Sequence, residues 1–297
     1  MQRKRQLWNM KKTLLSFGHG YSAQWLAKLL LPQGWHIIGT TRSATKAQNL
    51  ADQGIEPLIF PGGDVSGVLG YASHLLVSVG PTLEGDPVLK EVGDLIRKYS
   101  ANYEWVGYLS TTGVYGDYQG KWIDEDTPLN PSTQRGQWRK GAETEWRAIS
   151  KLPLHIFRLA GIYGPGRGPF AKVRDGTVRR IIKPGQVFSR THIEDIAQVL
   201  VASIERPAPG TVYNVCDNSP APPEDVIAYA AELLGLPVPP AIPFETAEMS
   251  PMARSFYAEN KRINNDRIKT DLGVKLRYPS YKEGLLALLN EDVSRNI

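Results

Sequence analysis

Six residues near the start of the chain, Gly18-His19-Gly20-Tyr21-Ser22-Ala23, have the types and spacing that hold a pyrophosphate. The first glycine permits a tight turn, the second lets the backbone approach a phosphate, and the small Ala23 lets the following helix pack close to the preceding strand. Backbone N–H groups at the helix start would then supply the anion site. A glycine triplet gains meaning only from its flanks. Here the apolar run TLLSF at 13–17 feeds directly into it, and Trp25, Leu26, Leu29 and Leu30 follow at helical spacing. Strand, tight turn and helix together favour dinucleotide binding. The next apolar run, HIIGT, ends at Thr40, Thr41, Arg42 and Ser43, where an NAD-selective site presents a carboxylate to the ribose diol. No Asp or Glu stands there. Arg42 offers a guanidinium fork suited to a 2′-phosphate, with Thr41 and Ser43 as hydroxyl donors, so NADP is the expected cofactor and NAD the alternative.

These groups need a frame, and the rest of the chain reads as one. Short apolar runs continue with EPLIF at 56–60, HLLVSVG at 74–80, EWVGYLS at 104–110 and PLHIFRLA at 153–160, with helical stretches over 87–98 and about 135–150 between them. This alternation predicts an α/β fold, a doubly wound parallel sheet of Rossmann type covered on both faces. The texture changes after Arg158, where GIYGPGRGPF is too rich in Gly and Pro for an element interior. A helix over 193–203 and the strand TVYNV at 211–215 return to the sheet. The expected division is a dinucleotide-binding domain over 12–160 with 190–216, and a smaller mixed α/β domain formed by 161–189 and 217–297. Ligand would bind in the cleft between them.

Composition narrows the function classes. The chain has 297 residues, 41% of them hydrophobic, enough for one large core or two lobes. Its formal net charge of +5 lies wholly in Arg3, Lys4, Arg5, Lys11 and Lys12, leaving a balanced body, so the pattern argues against a nucleic-acid face. A lone cysteine, Cys216, has no internal disulfide partner, and no His/Cys cluster predicts a metal site. A reducing cytoplasm fits that usage. No apolar run reaches the length of a membrane span.

Five segments in order, GHGYSA at the start, STTGVYGD at 110–117, the helix carrying Glu143, RLAGIYGPG at 158–166 and FSRTHIEDIA at 188–197, resemble the extended short-chain dehydrogenase/reductase family in its NAD-dependent epimerase/dehydratase branch. The resemblance covers roughly residues 12–290. It implies oxidoreductase or epimerase chemistry in which a Ser or Thr after the fifth strand orients the substrate while a Tyr-x-x-x-Lys helix moves a proton and holds the nicotinamide ribose. Thr111 takes the hydroxyl position. Counting back from Glu143 puts Arg139 at the lysine and Arg135 at the tyrosine, which makes the chain similar to atypical members with a degenerate motif. Lys140 is the reserve for Arg139. The resemblance also places Asp64 and Val65 at adenine, Ser78, Val79 and Gly80 at the adenosine ribose and pyrophosphate, and Leu159, Ala160 and Gly161 over nicotinamide.

An arginine stays charged and is a poor general acid, so the usual proton donor is missing. Arg139 could contact ribose hydroxyls, and Arg135 could hold an anionic substrate group. Tyr115 could contact substrate or donate the proton. A true Tyr-x-x-x-Lys does occur at Tyr257 to Lys261, but it falls after the second-lobe boundary and is read as coincidental spacing. His192 is read as a helix-start residue rather than a base. The expected partner is a small anionic, phosphorylated or nucleotide-linked hydroxyl or carbonyl compound, favoured by the basic stretch from Arg167 to Lys183; the resemblance also allows a homodimer. The contrasting reading is a non-catalytic NAD(P)-binding sensor or scaffold.

Overall fold

The computed structural model describes residues 12–295, so Arg3, Lys4, Arg5 and Lys11 of the basic leader lie outside the described residues. In chain order the strands are β1 (Thr13–Phe17), β2 (His36–Thr41), β3 (Glu56–Ile59), β4 (His74–Val77), β5 (Trp105–Thr111), β6 (Trp122–Ile123), β7 (Leu154–Leu159), β8 (Gly161–Tyr163), β9 (Arg180–Ile182), β10 (Arg190–His192), β11 (Val212–Val215), β12 (Ala241–Pro243) and β13 (Arg262–Ile263). The helices are α1 (Tyr21–Leu30), α2 (Ala44–Ala51), α3 (Ser66–Tyr71), α4 (Pro87–Tyr99), α5 (Gln134–Arg147), α6 (Phe170–Arg174), α7 (Ile193–Glu205), α8 (Pro223–Leu233), α9 (Pro251–Phe256), α10 (Asp266–Thr270) and α11 (Tyr281–Arg295).

Seven strands form one sheet in the order β11-β7-β5-β4-β1-β2-β3, and every neighbouring pair is parallel. This is the Rossmann-like sheet that the alternation of runs predicts. Every residue of β1 and β4 is buried, as befits strands covered on both faces, which explains their unbroken apolar runs. Pro57 is tolerated because β3 is the sheet edge. On one face Leu14, Leu26, Ile196 and Leu200 pack α1 and α7 against the strands. On the other, Leu15, Val77, Ile96 and Trp146 pack α4 and α5.

Two side-chain caps set the helices nearest the cleft. Asp86 accepts from Val88 N at 2.9 Å and Leu89 N at 3.1 Å at the start of α4, and its other oxygen accepts from Trp146 Nε1 of α5 at 3.1 Å. Thr133 caps α5, accepting from Gly136 N at 3.1 Å.

The smaller lobe has its own core of Tyr163, Phe170, Val173, Val226, Ala230 and Leu285, with the two-stranded pieces β8–β10 and β9–β12 beside it. Its boundary is less simple than the expected 217–297. Ile268, Leu272 and Val274 pack into the core that holds Leu14 and Ala23, and β13 pairs with β6, so the chain crosses back to the large sheet before α11.

Candidate active site

Strand order reverses between β1 and β4, and the crevice at such a switch point is where open α/β sheets bind ligand. A cleft of about 1130 Å³ opens there, lined from the first lobe by the glycine turn, the ends of β4, β5 and β7 and the start of α5. Gly18 has φ of +72°, a conformation that favours glycine, and its N–H donates to Thr40 Oγ1 at 2.8 Å. A Cβ on Gly18 would come within 2.8 Å of Val79 Cγ2, whereas one on Gly20 would meet nothing nearer than Gly18 O at 3.6 Å. The first position is fixed by sterics and the second is open in front. Helix α1 begins at Gly20 with no side-chain cap and no acidic residue in its first turn. The Oγ of Ser78, at the end of β4, is buried without a hydrogen-bond partner among the described residues. An open glycine, an uncapped helix start and an orphaned hydroxyl on one cleft wall fit a dinucleotide pyrophosphate.

The other expected cofactor residues divide. Tyr21, Ser22 and Gly80 line the cleft, whereas His19 and Ala23 pack behind it. Burial lowers the pKa of His19 to about 4, so its ring is neutral, and a Cβ on Gly39 would sit 2.9 Å from it. Its role is to fill the space under the turn. Arg42 is exposed and has no hydrogen bond or ion pair among the described residues. Beside it Ser43 caps α2, accepting from Lys46 N at 3.4 Å, and its own N–H donates to Thr41 Oγ1 at 3.3 Å. Asp64 is exposed, and the Ser66 hydroxyl, with the Ser66 N–H that donates to it at 2.8 Å, holds its carboxyl below the usual range; Val65 is buried at the start of α3.

Helix α5 brings its arginines to the same cleft. Arg139 Nη1 donates to Leu109 O at 2.9 Å, to Tyr108 OH at 3.2 Å and to Val79 O at 3.3 Å, tying the helix to the ends of β4 and β5. Its Nη2 lies 3.4 Å from where a Cβ on Gly80 would stand. Lys140 points elsewhere, to Leu129 O at 2.8 Å, and so does not replace it. Arg135 is exposed, lies 5.5 Å from the ring centroid of Phe256 and lines the cleft. Thr111 lines it too, its Oγ1 accepting from Gly113 N at 3.2 Å, and Leu159, Ala160 and Gly161 close that side.

Tyr115 is a correction. It is fully buried, its hydroxyl donates to Asn214 Oδ1 at 2.7 Å and accepts from Arg158 Nη1 at 2.9 Å, and it is absent from the cleft lining. Burial pushes its pKa up to about 12. A phenol committed in this way supports the floor beneath the cleft. His192 caps α7, accepting from Glu194 N at 3.3 Å, with its ring against Tyr163 and Tyr278 and its pKa lowered to about 4 by burial.

Tyr257 and Lys261, which fall after the expected lobe boundary, both line the cleft from the opposite wall. Lys261 Nζ donates to Gly116 O at 2.7 Å and to Glu259 Oε2 at 2.6 Å, while Ser132 Oγ donates to Glu259 Oε1 at 2.7 Å. The pairing of β13 with β6, between strands too short to carry a sequence pattern, delivers this segment. The basic stretch disperses. Arg167 lines the cleft, Arg179 donates to Glu248 O, Lys183 donates to Tyr257 O, and Arg180 is half-buried. Among the described residues no helix is long and apolar enough to cross a membrane, and no cluster of three metal-ligating side chains occurs.

No family model matches the chain. It is 29% identical over 284 residues to Protein YeeZ of Escherichia coli (strain K12), covering 91% of this chain and 97% of that protein. A solved structure of a functionally unknown conserved protein from Silicibacter pomeroyi is 60% identical, with 95% of this chain and 99% of that one covered and a TM-score of 0.92. The structure of a putative NAD-dependent epimerase/dehydratase from Methylobacillus flagellatus is 26% identical over 95% of this chain and 99% of that one, with a TM-score of 0.69. The UDP-glucuronic acid 4-epimerase of Bacillus cereus in complex with NAD shares the fold at 18% identity and a TM-score of 0.74, covering 96% of this chain and 100% of that one. The switch-point cleft, the glycine turn and these relatives agree: in sequence and structure the chain is similar to the NAD-dependent epimerase/dehydratase branch of the extended short-chain dehydrogenase/reductase family.

Proposed function

We propose that the protein is an NADP-dependent oxidoreductase or epimerase acting on an anionic hydroxyl or carbonyl compound. The observation that carries this reading is the convergence of the glycine turn, Thr111 and the anchored Arg139 on one cleft. Gly20, the start of α1 and Ser78 would hold the pyrophosphate, Arg139 Nη2 would face the nicotinamide ribose, and Leu159 to Gly161 would flank the ring. When bound, the cofactor exchanges hydride at a substrate carbon bearing oxygen. Thr111 Oγ1 already accepts from Gly113 N, which leaves its own hydrogen to orient the substrate oxygen. With arginines at the family's tyrosine and lysine positions, a proton has to come from another group, and Tyr257 and Lys261 are groups of the facing wall able to supply one.

NADP rather than NAD rests on Arg42, exposed beside Ser43 with no carboxylate at the end of β2. The Bacillus epimerase carries NAD, so cofactor choice is the first quantity to measure. Titration of the protein with NADPH and NADH, followed by hydride-exchange screening of small carbonyls and nucleotide sugars, tests the reading. Tighter NADPH binding and turnover of an anionic compound are expected. Dinucleotide binding without exchange on any compound would favour the sensor or scaffold reading, and failure to bind either dinucleotide would overturn both.

A further inference from the structure

The guanidiniums lining the cleft are held differently, and exposed Arg167 lies apart on the glycine-turn wall, its guanidinium carbon 5.9 Å from the ring centroid of Tyr21. Arg139 is anchored on Val79 O and Leu109 O, and Arg190 Nη1 donates to Phe188 O at 2.8 Å and Ala221 O at 3.1 Å. Lys261 is neutralised by Glu259. Arg135 has neither a hydrogen bond nor an ion pair among the described residues; its guanidinium carbon lies 5.5 Å from the centroid of the Phe256 ring. Phe256 and Met252 of α9 are 58% and 59% exposed, and both line the cleft. Large apolar side chains exposed inside a cleft are ligand contacts in waiting.

We propose that Arg135 selects a carboxylate on the substrate and that Phe256 and Met252 receive the ring or apolar body that bears it. This deepens the oxidoreductase reading and rests on it. A guanidinium near an aromatic ring keeps its in-plane N–H edge for an acceptor, and that edge matches the two oxygens of a carboxylate. The residue that stands at the family's tyrosine position is then a specificity determinant. The carboxylate belongs either to a free ring-bearing acid or to the uronate of a nucleotide sugar.

Two pairs of probes separate these sources in calorimetry on the NADP⁺-saturated protein: trans-cinnamate against cinnamamide, and UDP-glucuronate against UDP-glucose. At least one carboxylate is expected to bind about tenfold more tightly than its neutral counterpart, the scale of one charge-assisted contact. Arg135→Gln should erase that preference with the thermal midpoint unchanged, since the side chain is exposed. Phe256→Ala should weaken both members of the preferred pair together. The inference is overturned if neither pair discriminates, or if the preference survives Arg135→Gln. Wild-type protein that binds neither NADP⁺ nor NAD⁺ would remove the underlying oxidoreductase reading, whereas binding of a dinucleotide without carboxylate preference removes this inference alone.

Discussion

Arg158 and Glu143 meet in a two-point ion pair beneath the cleft, Nε to Oε1 at 3.2 Å and Nη2 to Oε2 at 2.9 Å, with side chains 3% and 0% exposed. Ser110 Oγ adds a third bond to Glu143, at 2.5 Å, and Tyr115 OH takes Arg158 Nη1. The pair joins α5 to β7 and β5, so it fixes which face of α5 carries Arg135 and Arg139 into the cleft. Removing one partner of a buried pair strands the other charge, at a cost of about 3–5 kcal/mol. Glu143→Ala is therefore expected to lower stability by about that much in urea denaturation. A loss no larger than that of a surface substitution would mean that the pair is not what holds the helix.

Gly18→Ala should act through a different route. The new Cβ would meet Val79 Cγ2 at 2.8 Å at a φ of +72°, so both space and backbone oppose it. The turn has to shift, and the pyrophosphate site shifts with it. We expect about 1–3 kcal/mol lower stability and at least tenfold weaker dinucleotide binding. The corresponding Gly20→Ala variant, whose Cβ meets only Gly18 O at 3.6 Å, should fold normally and lose binding, which separates the fold's need for glycine from the ligand's.

Cofactor choice should turn on Arg42. Its exposed guanidinium has no hydrogen bond or ion pair to lose among the described residues, so Arg42→Ser should leave the thermal midpoint alone. Loss of a charge-assisted contact to a 2′-phosphate predicts about 10- to 100-fold weaker NADPH binding with NADH unchanged. Equal effects on both dinucleotides, read by fluorescence titration, would assign Arg42 to something other than the 2′-phosphate.

The sheet was legible because parallel central strands must be apolar throughout, and TLLSF and HLLV announce themselves as such. The glycine turn was legible because steric demands at Gly18 leave little choice of residue. Tyr115 misled because its neighbour Thr111 reaches the cleft, while the tight 3₁₀ turn over 112–114 sends the phenol down to Asn214 and Arg158. The arrival of Tyr257 and Lys261 at the cleft depends on the two-residue pairing of β13 with β6, a long-range contact that no local periodicity encodes.

Asp217 is 2% exposed, its Oδ1 accepts from Ser219 N at 3.0 Å, and its Oδ2 has no partner among the described residues. Burial raises its pKa to about 7, against the opposing pull of Ser219 N and Arg190. The unfolded chain releases this proton near pH 4, so the folded state holds it across the window from about 4 to 7. Its contribution is full below that window and is lost as pH rises through 7. The buried histidines His19, His74, His155 and His192, each lowered to about 4 mainly by burial, act in the reverse direction, losing stability as pH falls from about 6.5. Wild type and Asp217→Asn share those histidines, so the difference between them isolates the carboxyl. Between pH 5 and pH 8 the wild type should lose on the order of a few kcal/mol relative to Asp217→Asn in urea midpoints. An identical gap at both pH values would show that Asp217 ionises without cost where it sits.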